Sequence, residues 1–340
     1  MKRFFRNSLC VALLIAGAVA CNKELDTPTT PQSKAITFGS VETRVESADE
    51  MNEFGVFAQQ NLGKDDDPAS LQWLALLEGE RVYRTNSGWT YDNTRYWVDD
   101  RTFFFWAYYP YVGTTATRTT ETTYVNFNGE SQPKTISHFT LNIAVPYAAD
   151  ADYMVAQAGA ITTTAPYPSS VDFQFEHILS KIVFNIKKSG DFNANDKFIV
   201  TQVGLSGVSR NGTYVATHTP GSSYKEEFTP TTESRQVRRS NLNKELTTGG
   251  VDVTSGGFYV LPQTLAGDQV KLSIAYTYQQ GGNGEVQYLT VEKAIPAGEW
   301  VKEKVYTYTL ELEIDNRIYI STPTVSSWGS MQTGGTIIIQ

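Results

Sequence analysis

Cysteine is almost absent, with only Cys10 and Cys21 in 340 residues. A disulfide framework is excluded, because Cys10 falls in a segment that reads as a removable leader and a single remaining thiol has no internal partner. Histidine is nearly as scarce: His138, His177 and His218 lie far apart, none at the spacing of a metal-binding pair. His177, between Phe175 and Ile178 in an apolar stretch, reads as a structural histidine. There is no Gly-x-Ser-x-Gly elbow, no Walker loop and no dinucleotide fingerprint, so catalysis has no positive support and no cofactor is expected. A glycosidase-type pair could in principle be drawn from the 36 acids, but nothing singles one out. Positive charge is also short: 28 Lys and Arg against 36 Asp and Glu give −8, and loss of Lys2, Arg3 and Arg6 with the leader takes this to −11. An acidic surface of that size argues against nucleic acid as a partner. No long run of Ala, Leu, Glu and Lys marks helices. What is present is 19 Tyr, 17 Phe, 6 Trp and 26 Gly, with many Thr and Val, in a chain long enough for two domains. The composition is that of an all-β protein.

The N-terminus reads as an address. Lys2, Arg3 and Arg6 precede an apolar run, Leu9 to Ala20, that is too short to span a bilayer comfortably, so residues 1–20 are expected to be a secretory signal. Its end, Ala18-Val19-Ala20-Cys21, resembles the bacterial lipobox, although Ala18 stands where Leu is more usual. Cys21 is therefore the expected lipidation site, palmitate being the expected acyl group, and the outer membrane the expected anchor. Residues 21–34 form a tether, with the Pro/Thr run Thr27-Pro28-Thr29-Thr30-Pro31 unable to build a core. Glu24 and Asp26 resemble the surface-export signals of Bacteroidetes lipoproteins. A plain tether is the other reading, and the sequence leaves both open.

From Ala35 the pattern turns to strands. Ile36 and Phe38 fall on one face of an alternating segment that runs to Val41, and Phe54 to Ala58 is a second short apolar strand. Glu42 to Glu50 between them is polar and reads as an exposed loop, as does the acidic run at 63–68. Asp191 to Asn195 has the alternate spacing of a calcium loop, but Asp196 replaces the sharp-turn Gly and Gln202 the bidentate Glu, so a turn is expected. Trp89 to Tyr111 is dense in rings. A sugar-stacking platform is one reading; the favoured one is a sandwich core with one face of alternate rings buried. Prolines and serines at 165–170 mark a break, giving domains over 35–167 and 168–340. Beyond it, Lys271 to Tyr278 and Glu285 to Val291 flank a Gly-rich hairpin, and Lys304 to Ile314 places Tyr306, Tyr308, Leu310 and Leu312 on one face. The chain ends in a β-branched strand, Ile337-Ile338-Ile339.

Several stretches, in order, resemble the fimbrillin family of Bacteroidetes: Cys21, Ile36-Thr37-Phe38 followed by Thr43-Arg44, Phe54-Gly55-Val56-Phe57-Ala58, Trp89-Thr90-Tyr91 with Tyr96-Trp97, Phe105-Trp106-Ala107-Tyr108-Tyr109-Pro110, Asp152-Tyr153-Met154-Val155-Ala156, Phe175-Glu176-His177-Ile178-Leu179-Ser180-Lys181, and Tyr306-Thr307-Tyr308 with Trp328. The resemblance implies two transthyretin-like β-sandwich domains in tandem and a non-catalytic subunit of a type V pilus, exported as a lipoprotein to the cell surface. It further implies that an arginine-specific protease removes the first strand, Ile36 and Phe38 with it, by cutting the Arg44–Val45 bond, where Val45 departs from the more usual Ala. A strand from another subunit then fills the groove by β-augmentation. The donor implied is the tail with Ile337, Ile338 and Ile339. Implied partners are other pilin subunits, the protease, outer-membrane lipid and a host or bacterial surface receptor. Whether the subunit sits in the stalk or at the tip stays open. The competing reading is a surface glycan-binding lipoprotein of a polysaccharide-uptake system, which would display an isolated platform of coplanar rings.

Overall fold

The computed structural model describes residues 34–42, 51–61, 73–111, 125–126, 135–144, 152–209, 211–218, 225–230, 234–313 and 318–328. Among them there is no α-helix, and strands alternate with turns throughout. In chain order the strands of the first half are β1 (Phe38–Glu42), β2 (Glu53–Asn61), β3 (Trp73–Thr85), β4 (Gly88–Thr90), β5 (Arg101–Tyr109), β6 (Val125–Asn126), β7 (Thr135–Ala144) and β8 (Met154–Thr163). After the Pro-rich break come β9 (Val171–Gln174), β10 (Glu176–His177), β11 (Ser180–Lys188), β12 (Lys197–Ser209), β13 (Asn211–His218), β14 (Lys225–Pro230), β15 (Ser234–Glu245) and β16 (Val251–Asp252). The last are β17 (Phe258–Val260), β18 (Gln263–Leu265), β19 (Lys271–Gln279), β20 (Val286–Ala294), β21 (Gly298–Trp300), β22 (Lys304–Leu312), β23 (Ile318–Ile320) and β24 (Thr324–Ser327).

The N-terminal sandwich is built on an antiparallel sheet of order β10-β8-β5-β2-β3-β4, faced by the two-stranded sheet β1-β9. The expectation that one face of the aromatic strand β5 is buried is exceeded: Thr102 to Tyr108 are buried without interruption. The reason is position. Phe103, Phe105 and Ala107 enter the core beneath β1 and β9, whereas Phe104, Trp106 and Tyr108 enter a second cluster with Tyr214, Ala216, Leu261 and Trp328. A strand central to a sheet with a core on either side has no solvent face to make polar, so its alternation disappears. These rings are core.

The C-terminal sandwich packs the sheet β16-β11-β22-β23 on β15-β12-β19-β20 around Phe184, Phe198, Leu272, Ile274 and Tyr308. Burial along β22 takes in Tyr306, Tyr308, Leu310 and Leu312, as the period-two pattern requires. Ile314 lies outside the described residues. The expected hairpin forms between β19 and β20, with Gly281 and Gly282 at positive φ in its turn. Asp191 to Asn195 forms the expected turn, closed by Asp196, whose carboxylate accepts from the Asn193 and Gly281 N–H groups.

Among the described residues, pairing crosses the Pro-rich break three times. β9 joins β1, β10 joins β8, and β13 joins β7 in the sheet β14-β13-β7-β6. Contacts accordingly gather the described residues into one unit.

Candidate functional site

The segment Lys34 to Glu42 lies in a slot between two stretches of backbone. On one side Ile36 N–H donates to the Arg95 carbonyl at 2.8 Å and Trp97 N–H to the Lys34 carbonyl at 2.9 Å. On the other, Val171 N–H donates to the Thr37 carbonyl at 2.8 Å, and β1 continues as a parallel partner of β9 from Phe38↔Val171 to Glu42↔Gln174. Side chains add to this: Thr37 Oγ1 donates to the Ser169 carbonyl at 2.8 Å, and Ser40 N–H to Asp172 Oδ1 at 2.7 Å.

Ile36 and Phe38 are buried, at 1% and 5% exposure, while Thr37 between them is exposed, so the alternation read from the sequence is correct here. It does not persist. Between Phe38 and Val41 the register shifts, because Val41 pairs with Phe173, two residues beyond the partner of Phe38. This bulge turns Val41 back onto the core that Phe38 fills.

The floor of the slot is aromatic. Phe38 stacks on Phe173 at 5.7 Å and meets Tyr91, Phe54 and Phe105 edge-on at 5.3, 6.2 and 6.4 Å. Such edge-to-face contacts favour a ring over an aliphatic side chain at this position. The hydroxyl of Tyr91 donates to the Ile36 carbonyl at 2.9 Å and accepts from the Arg95 N–H at 3.0 Å, tying the plug to one wall. Burial pushes this phenol above its ordinary range, and the Arg95 N–H opposes the shift. Burying Ile36 and Phe38 is worth about 1.5–3 kcal/mol each. The slot therefore holds its strand firmly, and an empty slot would expose four rings and two unpaired backbone edges to water.

Of the other residues singled out from the sequence, Cys21, Arg44, Val45, Ile337, Ile338 and Ile339 lie outside the described residues, as does the acidic loop at 63–68. His177 is structural, as expected: it is fully buried, with Nδ1 2.7 Å from Asp152 Oδ2 and its ring parallel to Trp328 at 4.2 Å. Burial pushes the Asp152 carboxyl up, against the pull of His177 and Lys181. Sequence reasoning missed Tyr91, Phe173 and the 95–97 backbone as parts of the slot. Only the aromatic content of those segments hinted at them, because their convergence depends on parallel pairing between distant strands.

An all-β chain of packed sandwiches, whose first described strand fills an aromatic slot by backbone pairing, defines the class of all-β sandwich proteins. A family model described as fimbrillin-like matches residues 43–328, and the chain belongs to that family. A fimbrial protein from Bacteroides vulgatus ATCC 8482 shares the fold, with a TM-score of 0.64 at 18% identity over 87% of this chain and 100% of that one. Candidate cell adhesion proteins from Bacteroides uniformis ATCC 8492 and Bacteroides ovatus ATCC 8483 align at 19% and 16% identity, over 88% and 87% of this chain and 99% and 98% of theirs, with TM-scores of 0.46 and 0.48. Among curated proteins none matches.

Proposed function

We propose that the protein is a fimbrial subunit with a role in adhesion, exported as a lipoprotein on Cys21 and assembled at the cell surface by donor-strand exchange. An arginine-specific protease cuts Arg44–Val45, Ile36 and Phe38 leave with the first strand and the lipid, and the slot takes a strand from another subunit. The donor is the tail carrying Ile337, Ile338 and Ile339. The role is structural and not catalytic, and the division into domains 35–167 and 168–340 is kept, with β9 and β10 lent back to the N-terminal sandwich.

The observation that carries this reading is the slot. The plug is bonded along both backbone edges and buries alternate apolar side chains in a ready-made aromatic floor, which is the geometry that β-augmentation requires of an acceptor. A strand held in that way can be replaced by another extended chain with apolar residues in the same register, but not by a helix or loop. The burial of Trp97, Phe103, Phe104, Phe105 and Trp106 counts against a sugar-stacking platform built from this segment.

The test is N-terminal sequencing and intact mass of the protein taken from the cell surface and after exposure to an arginine-specific protease. A new N-terminus at Val45, abolished by Arg44→Ala, is expected. An N-terminus that stays at acylated Cys21 under both conditions would overturn the cleavage step.

A further inference from the structure

The plug and the root of the C-terminal tail are joined by one short stretch of chain. Among the described residues β9 has β1 as its one ladder partner, and its Phe173 stacks on Phe38. Immediately after β9, Phe175 packs on Phe54 at 5.5 Å, and β10 brings His177 into register with Met154 of β8. His177 lies flat against Trp328, with 6° between the planes. Trp328 is the last described residue before the tail, 3% exposed, its N–H donating to the Glu303 carbonyl at 2.9 Å. From Phe173 to His177 the extended chain spans only about 13 Å, so a shift at β9 has little slack in which to die away.

The walls around Trp328 come from different sheets. Tyr259 of β17 stacks on it at 5.2 Å and 2°, and the Lys181 ammonium of β11 lies 5.7 Å from its ring centre. Tyr259 and Lys181 are register partners in the C-terminal sandwich. His177 belongs to the N-terminal sheet through β8. The indole is thus clamped between one wall in the C-terminal sandwich and one, His177, that pairs with β8, meets Asp152 and lies three residues after β9.

We infer that Trp328 is a positioning residue that fixes the point from which the tail departs, and that the first strand controls its grip through β9, β10 and His177. With the plug in place, β9 is paired and the clamp is closed. With the plug gone, β9 loses its whole ladder and the Phe38 stack, His177 is less constrained, and the clamp opens. The consequence for exchange rests on the tail being the donor: a subunit would free its tail only once its own slot is vacant, so acceptor and donor would be armed by the same event. The coupling itself needs neither cleavage nor donation. Linkage also makes it reciprocal, so loosening Trp328 must loosen the plug.

Hydrogen exchange on the full, uncleaved chain tests this without any protease, so failure here is distinguishable from failure of cleavage at Arg44. Phe38→Ala is expected to speed exchange of the Trp328 amide and the 324–328 segment by at least about tenfold, the size of a local opening. Phe198→Ala, which empties a comparable ring site in the C-terminal core away from this route, is expected to leave the ratio of exchange at 324–328 to that of its partner strand β22 unchanged. In the reverse direction, Trp328→Ala is expected to speed exchange at the Ile36 and Val171 amides, and Trp328→Phe to restore most of the protection. Equal effects of Phe38→Ala and Phe198→Ala at 324–328, or no effect of Trp328→Ala at Ile36 and Val171, would overturn the coupling. Should Phe38→Ala fail to fold, the Trp328 pair of variants decides the matter alone.

Discussion

Phe38 and Phe173 stack at 5.7 Å with 23° between their planes, across a parallel pairing of the first strand with a strand that follows the Pro-rich break. That contact closes the N-terminal core. Phe38→Ala removes the ring from a floor of four others, and a cost of about 3–5 kcal/mol is expected in urea unfolding of the intact chain. Phe38→Leu keeps most of the volume and should cost distinctly less. A loss below about 1 kcal/mol for the alanine variant would mean that the first strand is not an integral part of the core.

Tyr91 holds the plug through its hydroxyl, which bridges the Ile36 carbonyl and the Arg95 N–H. Tyr91→Phe leaves the Ile36 carbonyl and the Arg95 N–H without their shared partner. A loss of about 1–3 kcal/mol is expected, because the buried Ile36 carbonyl and the part-buried Arg95 N–H are stranded while the ring still fits. Chemical denaturation checks the size, and a neutral result would show that the two groups find other partners.

Gly55 faces Tyr108 directly across β2 and β5, and a Cβ placed on it would lie 1.7 Å from Tyr108 Cζ. Gly55→Ala should therefore displace a fully buried ring and cost about 1–3 kcal/mol. In the double variant with Tyr108→Leu the ring is gone, so the alanine should cost markedly less than it does alone. Strictly additive losses would sink the explanation.

Burial pushes Tyr276, in the C-terminal core, up to about 12, from the usual tyrosine value near 10. The folded chain holds this proton more tightly than the unfolded chain does. The resulting stability is intact below about pH 10 and is lost as pH rises through about 12. Tyr276→Phe should flatten this part of the alkaline slope in denaturation curves taken from pH 9 upward. An unchanged slope would show that Tyr276 does not contribute to it.

Deletion of residues 329–340 should leave the fold and cleavage at Arg44 intact but remove SDS-resistant ladders from the cleaved protein. Ladders that persist without the tail would assign the donor strand to another part of the chain.

Much of this was legible in one dimension. The all-β class, the strand with Ile36 and Phe38 inward, the β19–β20 hairpin, the alternating face of β22 and the structural role of His177 all follow from side-chain period and turn chemistry, which act over a few residues. Those forces are local, so sequence carries them. The expectation for β5 fell short for the opposite reason. Its rings alternate between two cores, and a strand buried on both faces has no period to read.

The partners of the first strand were likewise decided only in three dimensions. Parallel pairing of β1 with β9 brings together residues from the two ends of the N-terminal sandwich. The bulge at Phe38 to Val41 then shifts which side chain faces inward, and nothing in the residues around Phe38 specifies either. The same holds for Trp328, which the sequence marks only as an aromatic near the end. Its place between His177 and Tyr259 exists because one wall comes from each sheet, and that juxtaposition is a property of how the sheets pack. The sequence by itself determined that the chain would form strands and, where a strand has one polar face, which side chains turn inward; the tertiary structure decided which strands would meet and which would be buried on both faces, because long-range pairing is selected by the summed fit of whole faces and not by any local signal.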